Sequence, residues 1–278
     1  MSERAQSSVS PLSPVVIIGG AGGFGRLFTQ LFAKAGSDVV TVDLAGEVDL
    51  HLDAATVEAA PELDRALAAA RVVLLCLPES AAVTVLEALD RRLPAKAAPL
   101  VVDICSVKHR IAEAAGRLCL QCDYVSVHPM FGPERDLPGS NLVFMPVRGS
   151  ERVAALLAQL RAWQLNVIET DTETHDRVTS LVQVLAHAVL ATFANARDRF
   201  ELSEALVQAF ATPVFNDLDK VSQGMVAENP ELYHNIQTSN PWGADARDKL
   251  RHALQETLAT LGDDDPQGTV ALFERVRR

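Results

Sequence analysis

Basic side chains are in deficit: among 278 residues, 25 Lys and Arg stand against 36 Asp and Glu, a net charge of −11. That balance argues against nucleic acid or an anionic membrane surface as partner. It also means that a small anionic substrate would have to be met by a few cations making a local positive site. No run of apolar residues approaches membrane-spanning length. Cysteine is scarce, four in all. Cys76 and Cys105 end apolar strand-like runs, and the Cys119-x-x-Cys122 pair has no second pair or His at zinc-site spacing, so no metal centre is expected. Residues 1–13 lack the apolar stretch of a signal peptide and read as a flexible tail, which leaves a cytoplasmic protein as the expectation. Aromatic residues are few (5%), yet a hydrophobic content of 48% is ample for a core, and the length allows one large domain or two ordinary ones.

What is present begins at Val15. A strand-like Val-Val-Ile-Ile run leads into a glycine turn, an apolar helical run, and a second strand that ends on Asp43. Gly20, Gly22 and Gly25 have the Gly-x-Gly-x-x-Gly spacing of a dinucleotide-binding turn: a tight bend, a close backbone approach to pyrophosphate, and close helix–strand packing. The segment Gly20, Ala21, Gly22, Gly23, Phe24, Gly25 is therefore the expected cofactor cradle, with its phosphates at a helix N-terminus. Asp43, at the tip of the second strand, is placed to accept hydrogen bonds from the adenosine ribose hydroxyls, which favours NAD over NADP.

Strands and helices then alternate: a helix over 54–70, a strand at 72–77, a helix through 83–89, a strand at 100–103 and a helix near 108–118. Strands follow around 124–127 and 142–147, then a helix over 151–162 and a strand at 166–169. Apolar strands without polar alternation, separated by helices, predict a Rossmann-type, doubly wound parallel sheet in an α/β protein. From Thr172 the 3.6-residue period takes over, and helices are predicted over 173–198, 201–210, 213–228, 230–238, 243–261 and 266–276. The expected division is a tail (1–13), an NAD-binding domain (14–171) and an all-α substrate and dimerisation domain (172–278). The 173–198 segment is apolar around much of its circumference, which a small helical domain can bury only against a second copy, so a homodimer through that domain is expected.

Ligands of open parallel sheets bind at the carboxyl ends of strands. Two segments stand there, Asp103-Ile104-Cys105-Ser106-Val107-Lys108 and Val127-His128-Pro129-Met130-Phe131-Gly132-Pro133. His128, at a strand end beside a nicotinamide pocket, suits general-base work because imidazole titrates near neutrality.

These segments, together with Gly19–Leu27, His175-Asp176, Gln183 through His187 and Asn229-Pro230-Glu231-Leu232-Tyr233, resemble the prephenate dehydrogenase family. The resemblance implies NAD-dependent oxidative decarboxylation of a prephenate-type cyclohexadienyl substrate: hydride leaves ring C4 for NAD, CO2 is lost and an aromatic pyruvate forms. It casts His128 as the catalytic base and Ser106 as the hydroxyl that orients base and substrate. His187 would form the pocket from the helical side, and His175 would lie near the cofactor or the domain seam. Lys108 is expected within reach of the same pocket, with a solvated lysine as the other reading. The chain departs from the family at Gly224, where many members carry a carboxylate-binding arginine, and at Asn216, basic in some relatives. Lys220, one helical turn before Gly224, either supplies the missing charge or is a plain surface lysine. The departure leaves prephenate, its 4-amino-4-deoxy analogue and arogenate as substrates to separate, and a non-catalytic NAD-binding dimer as the competing class.

Overall fold

Four-residue runs at Val15–Ile18 (β1), Val72–Leu75 (β4) and Leu100–Asp103 (β5) are buried along their whole length, which requires cover on both faces. In a computed structural model, which describes residues 10–56, 60–94, 98–149, 151–226, 229–262 and 265–277, that cover is present. Alternate residues of each strand enter opposite layers, as the strand period of two demands. Val16, Ile18, Val73 and Leu75 belong to one apolar cluster, and Val15, Ile17, Val72 and Leu74 to the other.

Helix α1 (Gly23–Lys34) connects β1 to β2 (Val39–Asp43), after which come the short β3 (Leu50–His51) and α2 (Pro61–Ala69). Beyond β4 follow α3 (Glu79–Arg92), β5, α4 (His109–Arg117), β6 (Asp123–Pro129), β7 (Asn141–Arg148), α5 (Glu151–Ala162) and β8 (Asn166–Glu169). The eight strands form one sheet in the order β3-β2-β1-β4-β5-β6-β7-β8. The strand order reverses at β1, so a crevice opens between the carboxyl ends of β1 and β4, beside the glycine turn.

Three expectations are corrected. The sheet is not wholly parallel: β6 and β7 pair antiparallel, with His128 opposite Val143. Their connection, from Met130 to Ser140, contains no helix, and a parallel return would need a longer crossover. The helix expected from residue 54 starts only at Pro61, whose ring suits a first helical position; residues 57–59 lie outside the described residues. The flexible-tail reading of 1–13 fails for its last four residues, and 1–9 lie outside the described ones. Leu12 is 1% exposed in the second core layer, and Ser13 Oγ accepts a hydrogen bond from the Asp38 N–H at 2.9 Å.

The chain divides into two compact units, Met1–His175 and Asp176–Arg278. The secondary structure of the second, among its described residues, is all helical. Helix α6 (Thr172–Thr179) leads through a π-helical stretch, Ser180–Leu185, into α7 (Ala186–Asp198). Then come α8 (Glu204–Phe210), α9 (Pro213–Val226), α10 (Pro230–Ser239), α11 (Gly243–Gly262) and α12 (Pro266–Val276). The predicted end of α9 at 228 falls on residues outside the description. Its buried apolar cluster is small, Val184, Ile236 and Ala246, while Phe210, Val214 and Phe200 are more than two-thirds exposed. Thr172–Asp198 is also long and apolar enough, by length and composition alone, to cross a membrane, contrary to expectation. Leu12→Ala, which deletes a fully buried side chain, is expected to lower unfolding free energy by about 2–5 kcal/mol in urea titration.

Candidate functional site

The glycine turn is held from three sides. Gly25 packs so tightly that a Cβ would collide with the Gly19 carbonyl oxygen, which explains the third glycine of the pattern. Asp43, at the end of β2, accepts a hydrogen bond from the Ala21 N–H through Oδ2 (3.0 Å) and from the Leu44 N–H through Oδ1 (2.7 Å). The carboxylate thus braces the turn, and its remaining acceptor capacity is available to ribose hydroxyls. Helix α1 begins there on Gly22 with no side-chain cap, so its first N–H groups are left for an anion. These residues fit a dinucleotide pyrophosphate.

The third side is the loop that follows His128. A Cβ on Gly23 would lie 2.7 Å from Pro133 Cγ, and the rings of Phe24 and Phe131 meet edge to face at 6.0 Å. The His128 loop and the glycine turn are therefore in direct contact.

His128 is 4% exposed near the end of β6. Its Nδ1 lies 2.8 Å from Nε2 of His175, leaving Nε2 as the nitrogen that can face a substrate. Burial, then the charge of Lys108, then His175 beside it, hold the imidazole well below its ordinary pKa. It is therefore neutral at neutral pH.

Lys108 is corrected from a pocket ligand to a buried brace. Its side chain is fully buried; Nζ donates to Asp103 Oδ1 at 3.0 Å and to the Val127 carbonyl at 2.8 Å. The second oxygen of Asp103 accepts from the Tyr124 hydroxyl at 3.0 Å, and burial followed by the Asp103 charge pushes the Tyr124 pKa up, so the phenol keeps that proton. Ser106 sits half-buried in the loop between β5 and α4. His175, expected at the cofactor or seam, is 2% exposed and engaged with His128.

In the helical unit, His187 and Gln183 sit four residues apart across the end of the π-helical stretch. His187 Nδ1 and Gln183 Oε1 are buried with no hydrogen-bond partner among the described residues, and the His187 ring meets Tyr233 edge-on at 4.9 Å. Burial lowers the His187 pKa. Gln183 and Tyr233 were quoted in the sequence only as parts of motifs; their orphaned or stacked state is visible only in three dimensions. Lys220 stands exposed on α9, and around Gly224 a Cβ would meet nothing within 4 Å.

Comparison with known proteins bears on this geometry. Residues 36–144 match the model for the prephenate dehydrogenase nucleotide-binding domain, and residues 171–275 match the model for the prephenate dehydrogenase dimerization domain. The chain belongs to the prephenate dehydrogenase family. A relative, 4-amino-4-deoxyprephenate dehydrogenase of Streptomyces pristinaespiralis, is 29% identical over 94% of this chain and 89% of its own length. Among solved structures, prephenate dehydrogenase from A. aeolicus, in complex with hydroxyphenyl propionate and NAD+, superposes with a TM-score of 0.73 at 17% identity, covering 94% of this chain and 95% of the other. Synechocystis arogenate dehydrogenase gives 0.70 at 20%, covering 94% and 96%. These structural likenesses establish the fold that prephenate dehydrogenases share with this chain.

Removing one partner of a buried ion pair leaves the other charge stranded. Lys108→Met is expected to cost about 3–5 kcal/mol in denaturant titration. In the surviving fold, loss of the lysine charge raises the His128 pKa. The acid limb of kcat/KM, where the base becomes protonated, then moves to higher pH than in the parent.

Proposed function

We propose that this protein is an NAD-dependent oxidative decarboxylase of a prephenate-type cyclohexadiene, and that 4-amino-4-deoxyprephenate is its substrate within that class. The observation that carries the reaction is the contact between the His128 loop and the glycine turn, Pro133 on Gly23 and Phe131 on Phe24. It ties a buried neutral base to the cradle that fits a dinucleotide.

NAD, when bound, supplies the acceptor for the hydride that leaves ring C4. His128 takes the proton from the C4 substituent through Nε2, and Ser106 orients ring and base from the neighbouring strand end. Loss of the C1 carboxylate as CO2 makes the ring aromatic, which drives the step forward, so the protein has to orient rather than to activate.

Charge favours the amino substrate. Prephenate carries two carboxylates, whereas its 4-amino-4-deoxy analogue adds an ammonium and lowers the net negative charge. The resemblance places Gly224 where many family members carry an arginine, Lys220 stands one helical turn before it, and the chain carries −11 overall. The Streptomyces relative is named for that substrate. Arogenate, which also carries an amine, is the reading to separate by assay, and a non-catalytic NAD-binding dimer is what an inactive protein would leave.

We further propose a cytoplasmic homodimer. The exposed apolar side chains of α7, α8 and α9 surround a cavity of about 910 Å³ lined by Phe193, Phe200, Leu206 and Phe210, a surface suited to a second copy. The chain is expected to elute at dimer mass in light scattering, and Phe210→Glu to shift it toward monomer.

Turnover is tested with all three substrates by following NADH. The highest kcat/KM is expected with 4-amino-4-deoxyprephenate; a preference for prephenate would overturn the substrate assignment, and turnover of none would remove the enzymatic reading. His128→Asn should lower kcat by about 10²–10⁴-fold, the usual contribution of a positioned base, with NAD affinity retained in calorimetry.

A further inference from the structure

Two imidazoles whose nitrogens lie 2.8 Å apart share one hydrogen between them, because two N–H groups cannot face each other at that distance. The His128–His175 pair therefore has two neutral forms. In one, His128 Nδ1–H donates to His175 Nε2, and the lone pair of His128 lies on Nε2. In the other, His175 donates, and His128 carries its hydrogen on Nε2, where it blocks proton abstraction. Only the first form is a base.

We infer that His175 is a positioning residue that accepts the Nδ1–H of His128, holding the base in its competent tautomer. This inference rests on the reading of His128 as the base, and it gives His175 a place beside that base in addition to the one expected near the cofactor or the domain seam.

The local structure suits the role. His175 sits in the first turn of α6, which is locked by Asp171: Oδ1 accepts the Thr174 N–H at 2.7 Å, Oδ2 accepts the Thr174 hydroxyl at 2.7 Å, and the Asp171 carbonyl accepts the His175 N–H at 3.0 Å. The ring is 2% exposed, so water does not compete for its nitrogen. A second-layer group held on a capped helix turn is the arrangement that fixes a ring's orientation and tautomer.

The proton balance is simple. As hydride leaves C4, the proton of the C4 substituent passes to His128 Nε2, and the imidazolium keeps Nδ1–H directed at neutral His175. A charge-assisted hydrogen bond replaces a neutral one, about twice as strong. The groups acting on His128 are Lys108, from the loop entering α4, and His175, from α6. Asp103 and Tyr124 stand behind Lys108 and neutralise its far side. A second proton on the pair would set two like charges together beside Lys108, so the pair takes up one proton.

Histidine-¹⁵N NMR of the full chain reads the tautomer without turnover. His128 is expected as the Nδ1–H form in the parent, as a mixture or the Nε2–H form in His175→Leu, and as Nδ1–H again in His175→Gln, whose amide oxygen reaches the place of Nε2. In steady-state kinetics, His175→Leu should lose roughly 10–100-fold in kcat, the scale of second-layer partners. Its KM for NAD should be unchanged and its acid limb should shift, and His175→Gln should recover most of the rate. An Nε2–H form of His128 in the parent overturns the inference. So does equal loss in both variants with an unmoved pH profile, which would mark a structural role. A parent that turns over no substrate yet shows the Nδ1–H form refutes the enzymatic reading and leaves the tautomer assignment standing.

Discussion

A lysine ammonium with no exposure to water holds the site together. Desolvating Lys108 and Asp103 is costly, and the cost is offset only because every strong partner is supplied: the carboxylate, the Val127 carbonyl, and the Tyr124 hydroxyl on the second carboxylate oxygen. The bond to Val127 stitches the loop after β5 to β6 one residue before His128. Burial of the ring, and after it the same positive charge, keep that histidine neutral. One interaction therefore helps to set both the place and the protonation of His128.

From His128 the constraint passes outward in two directions. Along the chain, Pro129 to Pro133 lead to the glycine turn, where Gly23 has no side chain because Pro133 occupies its space. Through the ring, Nδ1 reaches His175 on a helix turn stiffened by Asp171. The glycine turn, His128 and His175 are thus parts of one packed assembly within the first unit.

The helical unit has a different economy. Three side chains make up its buried apolar cluster, while many of its large apolar residues face solvent in the single chain. A helix as apolar as Thr172–Asp198 passes a membrane-length criterion for the same reason that it suits a dimerization domain: its apolar circumference exceeds what one chain can cover. The π-helical stretch interrupts that helix where Gln183 and His187 carry unsatisfied buried atoms. Widened turns of this kind are often retained at functional sites, since they re-aim side chains at some cost in helix regularity.

Local pattern was enough for much of this. Unalternating apolar runs separated by helical ones determined a two-faced sheet, the Gly20-x-Gly22-x-x-Gly25 spacing with Asp43 determined a dinucleotide turn, and the His128 segment, with its following proline, marked a strand end. Backbone periodicity and glycine spacing are local properties, written in consecutive residues. The antiparallel turn-back of β7, the burial of Leu12, the use of Lys108 as a brace and the pairing of His175 with His128 were decided only by tertiary structure. Lys108 and His175 read from the chain as polar residues near a pocket, and nothing local tells whether a charge faces water or another side chain. That depends on which strands become neighbours, because contact across a sheet joins residues with no relation in sequence.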